Sequence, residues 1–505
     1  LCEARECTPE ACPYANGYYA RIKGALWDVL DVPCLTAETL QEYAERHTVC
    51  PFELGLDSSL WSDVIIGDYN YLFDPVVHLV RFFESAGDYI FLVDEAHNLP
   101  GRAREMHSAA LTKTSFYEAK KLLGKGKSSL KNALTKVNDV FIEWRHRAEE
   151  ETAARDGRFG KTFFLKERSE EFDHLLNRLC EPLEAWLDDH REPDETHTAL
   201  LQLYFDVRAW LRVADTFDDH FVLQITASGS EVRAAQLCLD PSAFLADSFA
   251  LGRAAVLFSA TLAPASYYKD LCGVPEARAV ALRSPFPAGN QGLFCIGNVS
   301  TRYKDRDASL AIVTESLATM VRARCGNYLA FFPSYAYMEQ AYAQFKEHCP
   351  EINCIKQENA MDEQQKAAFL AQFVPGPSQT LLGFAVMGGV FGEGVDLTGD
   401  RLIGVGIVGP GLPQVGPRQE QLRDYFEQTR GSGFDYAYRY PGMNKVLQAA
   451  GRVIRTPRDK GVVLLIDNRF AMPDYRRLMP PHWSHLKMIY DTEKLERELW
   501  RFWEE

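Results

Sequence analysis

The 505-residue chain contains no apolar run approaching the roughly 18 residues that a membrane-spanning helix requires. Its first residues lack the positive-then-apolar pattern of a secretory signal. There is no internal repeat and no low-complexity tract, and composition is otherwise ordinary for a globular protein. Positive charge is also short: 55 Lys and Arg stand against 70 Asp and Glu, for a net charge of -15. That balance argues against indiscriminate binding of polyanions, although a single groove can still be basic. These absences predict a cytoplasmic protein with no membrane partner. At roughly 150 residues per domain, the length suggests about three or four domains. Nothing specifies an oligomeric state.

A phosphate-binding loop is missing as well. Such a loop needs a glycine five residues before its Gly-Lys-Ser/Thr, because successive backbone N–H groups must wrap the phosphates while the lysine reaches the outer ones. Gly126-Lys127-Ser128 has Lys121 where that glycine belongs, and Gly160-Lys161-Thr162 has Arg155 there. The first reads as part of a basic run and the second as a turn.

What is present begins with Asp94-Glu95-Ala96-His97, at the end of the apolar run Tyr89-Ile90-Phe91-Leu92-Val93. The run reads as a buried parallel strand, and its carboxyl end is where open α/β sheets place their ligand crevice. Phosphoryl transfer to water needs a metal and an oriented nucleophile. Asp94 suits magnesium, held through water, and Glu95 suits the attacking water. A distant counterpart, Gln448-Ala449-Ala450-Gly451-Arg452-Val453-Ile454-Arg455, is expected on a helix that starts near Asn444. There Gln448, Arg452 and Arg455 share one face, and the two arginines supply positive charge to the transition state from a second lobe. An Asp-Glu pair after an apolar run can equally be a strand entering solvent. Both halves in this order describe a two-lobed nucleotide motor.

Cysteine usage is uneven. Cys2, Cys7, Cys12, Cys34 and Cys50 crowd the first tenth of the chain, and a reducing compartment makes a metal or iron-sulfur site the more economical reading than disulfides. Cys2, Cys7 and Cys12 are evenly spaced. Cys50, in Cys50-Pro51-Phe52-Glu53, is the better fourth ligand than Cys34. Four thiolates hold either a cubane cluster or a tetrahedral zinc, and spacing does not choose between them.

Trp61 to Asp68 is apolar-rich and is expected to form a strand. From Gly101 to about Leu239 charged, helix-favouring sequence predicts an inserted helical domain. Its lysines 113, 120, 121, 125, 127, 131 and 136 face only Glu118, which suits either a solvated helix face or a phosphate backbone. Strand texture returns at Ala254-Ala255-Val256-Leu257-Phe258, which leads into Ser259-Ala260-Thr261-Leu262. Hydroxyls there can relay contacts between a nucleotide site and a neighbouring lobe, or cap a helix. A second α/β pattern starts near Phe294. Its turn Gly388-Gly389-Val390-Phe391-Gly392-Glu393-Gly394-Val395-Asp396 lets the backbone approach a ligand, with acids placed for a ribose or an arginine.

Taken in order, these segments resemble the XPD and DinG-like branch of superfamily 2 DNA helicases over nearly the whole chain. The matching pieces are the cysteine region, Asp94 to His97, Ser259-Ala260-Thr261, Ser284-Pro285-Phe286, Phe332-Pro333-Ser334-Tyr335, Glu393-Gly394-Val395-Asp396 and Gln448 to Arg455. The resemblance implies an α/β fold: two RecA-like parallel-sheet lobes carrying an iron-sulfur insertion and a helical arch insertion. The corresponding domains are 1–62 for the cluster, 63–100 with 245–290 for lobe 1, 101–244 for the arch and 291–505 for lobe 2. It also implies ATP, magnesium and a four-iron four-sulfur cluster as cofactors, with Cys2, Cys7, Cys12 and Cys50 as ligands. Asp94 and Glu95 become hydrolytic residues, and Asp94 the magnesium ligand. Arg452 and Arg455 act at the γ-phosphate, His97, Glu393, Asp396 and Gln448 contact the nucleotide, and Ser259 and Thr261 couple it to DNA. Family members move 5′ to 3′ on single-stranded DNA and act at DNA junctions, in repair or replication maintenance. The missing loop marks the chain as the carboxyl-terminal portion of a longer helicase, hydrolysing ATP poorly on its own. Two alternatives remain: an inactive nucleic-acid-binding scaffold, or an RNA helicase with structural zinc.

Overall fold

In the chain's computed structural model, residues 7–125, 128–154, 160–192, 194–392 and 397–504 are described. Cys2, Gly126, Lys127, Arg155, Glu393 and Asp396 lie outside them. The described strands are β1 (Ile90–Val93), β2 (Ala109–Thr112), β3 (Lys161–Leu165), β4 (Phe221–Ser228), β5 (Glu231–Cys238), β6 (Ala254–Leu257), β7 (Gln291–Ile296), β8 (Asn327–Phe332), β9 (Asn353–Lys356), β10 (Leu381–Val386), β11 (Gly404–Val408), β12 (Gly461–Ile466) and β13 (Lys487–Ile489). Two units separate, Leu1–Leu72 and Phe73–Glu505.

In the larger unit, the second α/β pattern becomes a seven-stranded sheet of order β13-β7-β12-β11-β8-β10-β9, with every pairing parallel. Its strands are apolar on both faces, as a sheet covered by helices on each side demands. Leu293, Leu329, Phe331, Val405, Val463 and Leu465 pack on one face. Their neighbours Phe294, Tyr328, Phe332, Val462, Leu464 and Ile466 pack on the other. β1 and β6 form a separate parallel pair in which Val93 stands opposite Leu257. Because parallel neighbours end together, the Asp94-Glu95 turn and the Phe258-Ser259 turn emerge side by side.

The inserted domain is not wholly helical. Long helices Ser129–Ala154, Glu170–Asp189 and Glu195–Thr216 pack on an antiparallel sheet of order β2-β5-β4-β3. Alternation explains why β4 and β5 form strands: Leu223, Ile225, Val232 and Ala234 face the helices, while Val222, Ala235 and Leu237 face a tyrosine-rich cluster. Lys161 and Thr162, expected in a turn, instead open β3, directly after Gly160 at φ 66°. The basic run divides between helices Lys113–Leu122 and Ser129–Ala154, where Lys131 Nζ donates to Gly124 O at 2.5 Å.

The smaller unit packs helices Tyr18–Val29, Ala37–His47 and Pro51–Ser59 around Ile22, Ala25, Ala44, Val49 and Leu54. Thr36 caps the second helix by accepting from Thr39 N. The strand expected over Trp61 to Asp68 does not form. Val64 and Ile66 are 75% and 94% exposed there, and without a neighbouring strand the extended backbone has no ladder to join.

Candidate functional site

The site assembles at the carboxyl ends of β1 and β6. Ala96 N donates to Phe258 O at 3.1 Å and Phe258 N to Val93 O at 3.0 Å, which fixes the acidic turn against the Ser259 turn. Asp94 and Glu95 are both exposed, and Asp94 Oδ1 accepts from Glu95 N at 2.7 Å. Glu95 has φ 46°, a left-handed conformation that costs a non-glycine residue on the order of 1–3 kcal/mol. The turn accepts that strain while keeping the Glu95 carboxylate in solvent.

His97 is buried and uses both ring nitrogens. Its Nδ1 lies 2.8 Å from Ser259 Oγ, and its Nε2 lies 2.5 Å from Gln448 Nε2. Ser259 Oγ in turn donates to Glu95 Oε2 at 3.2 Å. An amide nitrogen can only donate, so His97 Nε2 accepts from Gln448 and Nδ1 carries the proton offered to Ser259. The result is a directed path, Gln448 to His97 to Ser259 to Glu95, with His97 Nδ1 itself also 3.2 Å from Glu95 Oε2. Thr261 supports it, with its backbone N donating to Ser259 Oγ at 3.3 Å. Three sequence motifs therefore meet through four side chains, and Gln448 comes from the helix Tyr440–Ala450, which packs on the seven-stranded sheet.

The helix carrying Gln448 runs Tyr440–Ala450, so it starts earlier and ends sooner than the spacing suggested. Arg452 and Arg455 follow it in an irregular segment, not one turn apart on a helix. Pro457 disfavours helical backbone just before it, and the Asp459 carboxylate accepts from Arg455 N and Thr456 N, both at 2.7 Å. Arg452 Nη2 donates to Gly392 O at 2.9 Å, on the glycine turn that precedes Glu393. Sequence reasoning missed Asp459, although a Thr-Pro-Arg-Asp run is a recognisable turn-former. Asp467 is fully buried, and burial alone would raise its carboxyl, but Arg469 and Thr301 hold it below the usual range. Arg469 Nε and Thr301 Oγ1 donate to it at 2.7 and 2.5 Å.

In the smaller unit Cys12 is buried, Cys50 is half-buried at the head of helix Pro51–Ser59, and Cys7 and Cys34 are exposed. Among the described residues no three Cys, His, Asp or Glu side chains gather into a metal-holding group.

Two helicase family models match the chain, one described as DEAD_2 over residues 1–116 and one as a helicase C-terminal domain over residues 317–486. The XPD helicase subunit of general transcription and DNA repair factor IIH from Schizosaccharomyces pombe is 24% identical, over 88% of this chain and 67% of that protein. The ATP-dependent DNA helicase CHL1 of Coccidioides immitis is 22% identical, over 90% of this chain and 60% of its own length. Regulator of telomere elongation helicase 1 of Rattus norvegicus is 22% identical, over 97% and 45%. The chain thus spans between about half and two thirds of these relatives. Among solved structures, S. tokodaii Xpd4 superposes with a TM-score of 0.59 at 16% identity, covering 90% of this chain and 89% of that one. An XPD helicase superposes with a TM-score of 0.58 at 19% identity, covering 90% and 78%. With the acidic turn inside one family model, the Gln448 to Arg455 segment inside the other, and the fold shared with XPD structures, the chain is similar to the XPD-like superfamily 2 helicases.

Proposed function

We propose that this chain is the motor of an ATP-dependent DNA helicase that moves 5′ to 3′ along single-stranded DNA and works at junctions in repair or replication maintenance. The observation that carries the proposal is the Gln448–His97–Ser259–Glu95 path, because it links a second-lobe residue to the acid placed to orient water. Asp94 and Glu95, open to solvent at the ends of parallel strands, suit a largely hydrated magnesium ion. Bound there, magnesium would neutralise charge on the β- and γ-phosphates. Glu95 orients the attacking water, and Arg452 and Arg455 bring positive charge from lobe 2. Glu393 and Asp396 complete the nucleotide contacts. Closure of the lobes seats Gln448 on His97, and Ser259 passes that change to Glu95. Thr261, through Ser259, joins the site to the DNA track.

The test is ATP hydrolysis by the full-length protein with and without single-stranded DNA. Wild type should be stimulated by DNA, and Gln448→Ala should lose that stimulation. Equal stimulation of both proteins, or stimulation by RNA alone, contradicts the reading.

The finer part of the proposal assigns Cys2, Cys7, Cys12 and Cys50 to a four-iron four-sulfur cluster. Its support is Arg21, whose Nη2 donates to Pro13 O at 3.0 Å, to Asn16 O, and to Thr48 O at 2.6 Å. One guanidinium thereby ties the segment after Cys12 to the residue two before Cys50. Thiolates held in this way suit a reducing compartment such as the cytoplasm. Visible absorption and metal content after anaerobic purification decide the matter: about four irons support a cluster, and a single zinc with no colour replaces it.

A further inference from the structure

We propose that a cavity at the amino-terminal ends of β8, β9 and β10 binds an adenine nucleoside that carries no phosphate, at a site separate from the hydrolytic one. This site is independent of the helicase reading. The cavity has a volume of about 400 Å³, toward the lower end of the roughly 300–1,000 Å³ usual for small-molecule sites. Part of its rim is the loop that joins helix Glu363–Ala371 to β10, stiffened by Pro375 and Pro377 on either side of Gly376 at φ 56°. From the cavity, the six residues of β10 lead to the glycine turn that meets Arg452, a distance of roughly 20 Å along the strand.

The lining is rich in carboxamides whose hydrogen bonds are only partly spent inside the protein. Asn327, a fully buried part of that lining, uses Nδ2 on Val374 O at 2.7 Å and Asp400 O at 3.3 Å. Its Oδ1 has no hydrogen-bond partner among the described residues. A buried acceptor in this state calls for a donor from outside the chain. Toward solvent, Asn353 Nδ2 donates to Gln379 Oε1 at 2.9 Å, which ties the two amides together and leaves Asn353 Oδ1 as an acceptor and Gln379 Nε2 as a donor. Neighbouring donor and acceptor positions match the edge of adenine, which carboxamides read through its N6 amino group and N7. Ile355, Val374 and Leu381 supply apolar wall for the ring. Among the described residues no charged side chain lines the cavity, and burial pushes the Cys354 thiol up to about 12, so it too stays neutral. A phosphate would find no counter-charge here, and an uncharged nucleoside needs none.

The test is isothermal titration calorimetry of the full-length protein with adenosine, with and without magnesium and a saturating non-hydrolysable ATP analogue. Adenosine should bind in both conditions with a stoichiometry near unity. Asn353→Ala and Gln379→Ala alter exposed side chains, so both variants should fold. Each should weaken adenosine binding about tenfold, the effect of one lost hydrogen bond. Gln340→Ala, at an exposed position on the helix Tyr335–His348, should bind as wild type does. No binding of adenosine, or binding abolished by the ATP analogue, overturns the site. Equal binding by wild type and both variants overturns its assignment to this cavity, and equal binding of cytidine overturns the adenine assignment. Displacement of adenosine by an oligodeoxyadenylate places the base on a strand and overturns the free nucleoside.

Discussion

Glu95 occupies a left-handed backbone position, accepts a hydrogen bond from Ser259 and keeps its carboxylate exposed. A residue placed in this way to orient water should matter to rate and little to folding. Glu95→Gln is expected to reduce ATP hydrolysis by the full-length protein about 10²–10⁴-fold, the usual effect of removing a general base. Its thermal midpoint should stay close to that of wild type, which differential scanning calorimetry would check. His97 makes the opposite case: it is buried and bonded on both nitrogens, so His97→Ala should lower the thermal midpoint as well as abolish DNA stimulation. That the two acids stand at a strand end was legible in the sequence, because the apolar run before them reads as a strand. The contacts of His97 were not. Its partners lie on two other segments, and only folding shows that both nitrogens contact protein side chains.

Among the elements, the segment after helix Tyr440–Ala450 shows how a local side chain overrides periodicity. Gln448, Arg452 and Arg455 have helical spacing, but the Asp459 carboxylate binds two backbone N–H groups and the Thr456 hydroxyl, and the chain leaves the helix at Gly451. Asp459→Ala is expected to cost about 1 kcal/mol of stability, measurable by urea unfolding, and to slow ATP hydrolysis by loosening Arg455. The strand expected over Trp61 to Asp68 failed for a different reason: apolar content does not supply a pairing partner. A pH dependence also belongs at this scale. His107, stacked on Phe244 with ring centroids 3.9 Å apart, has its pKa lowered to about 4 by burial, against the raising influence of Asp74 and a backbone contact at Phe73. Between that value and the ordinary 6.5 the unfolded chain binds the extra proton. Stability from this group is therefore present above pH 6.5 and is lost as pH falls toward 4, with a slope of at most about 1.4 kcal/mol per pH unit. Thermal midpoints of His107→Gln should fall less steeply than wild type over this window.

For the whole molecule, the seven-stranded parallel sheet was readable because its strands are continuous apolar runs, and the long helices between Gly101 and Leu239 because their sequence is charged and helix-favouring. The sheet inside that segment escaped notice. From Leu223 to Ser228, β4 alternates apolar residues under the helices with Gln224, Thr226 and Ser228, a period-two signal that the charged, helix-favouring sequence around it outweighed. ATP-driven motion on DNA is proposed to pass through the Gln448–His97–Ser259–Glu95 path, and strand displacement by the full-length protein is the direct test. Duplexes with a single-stranded DNA tail at either the 5′ or the 3′ end would be mixed with protein and ATP. Release is expected from the 5′-tailed duplex alone, with none by Glu95→Gln or without ATP. Release from the 3′-tailed duplex, or from neither while ATP is consumed, would contradict it.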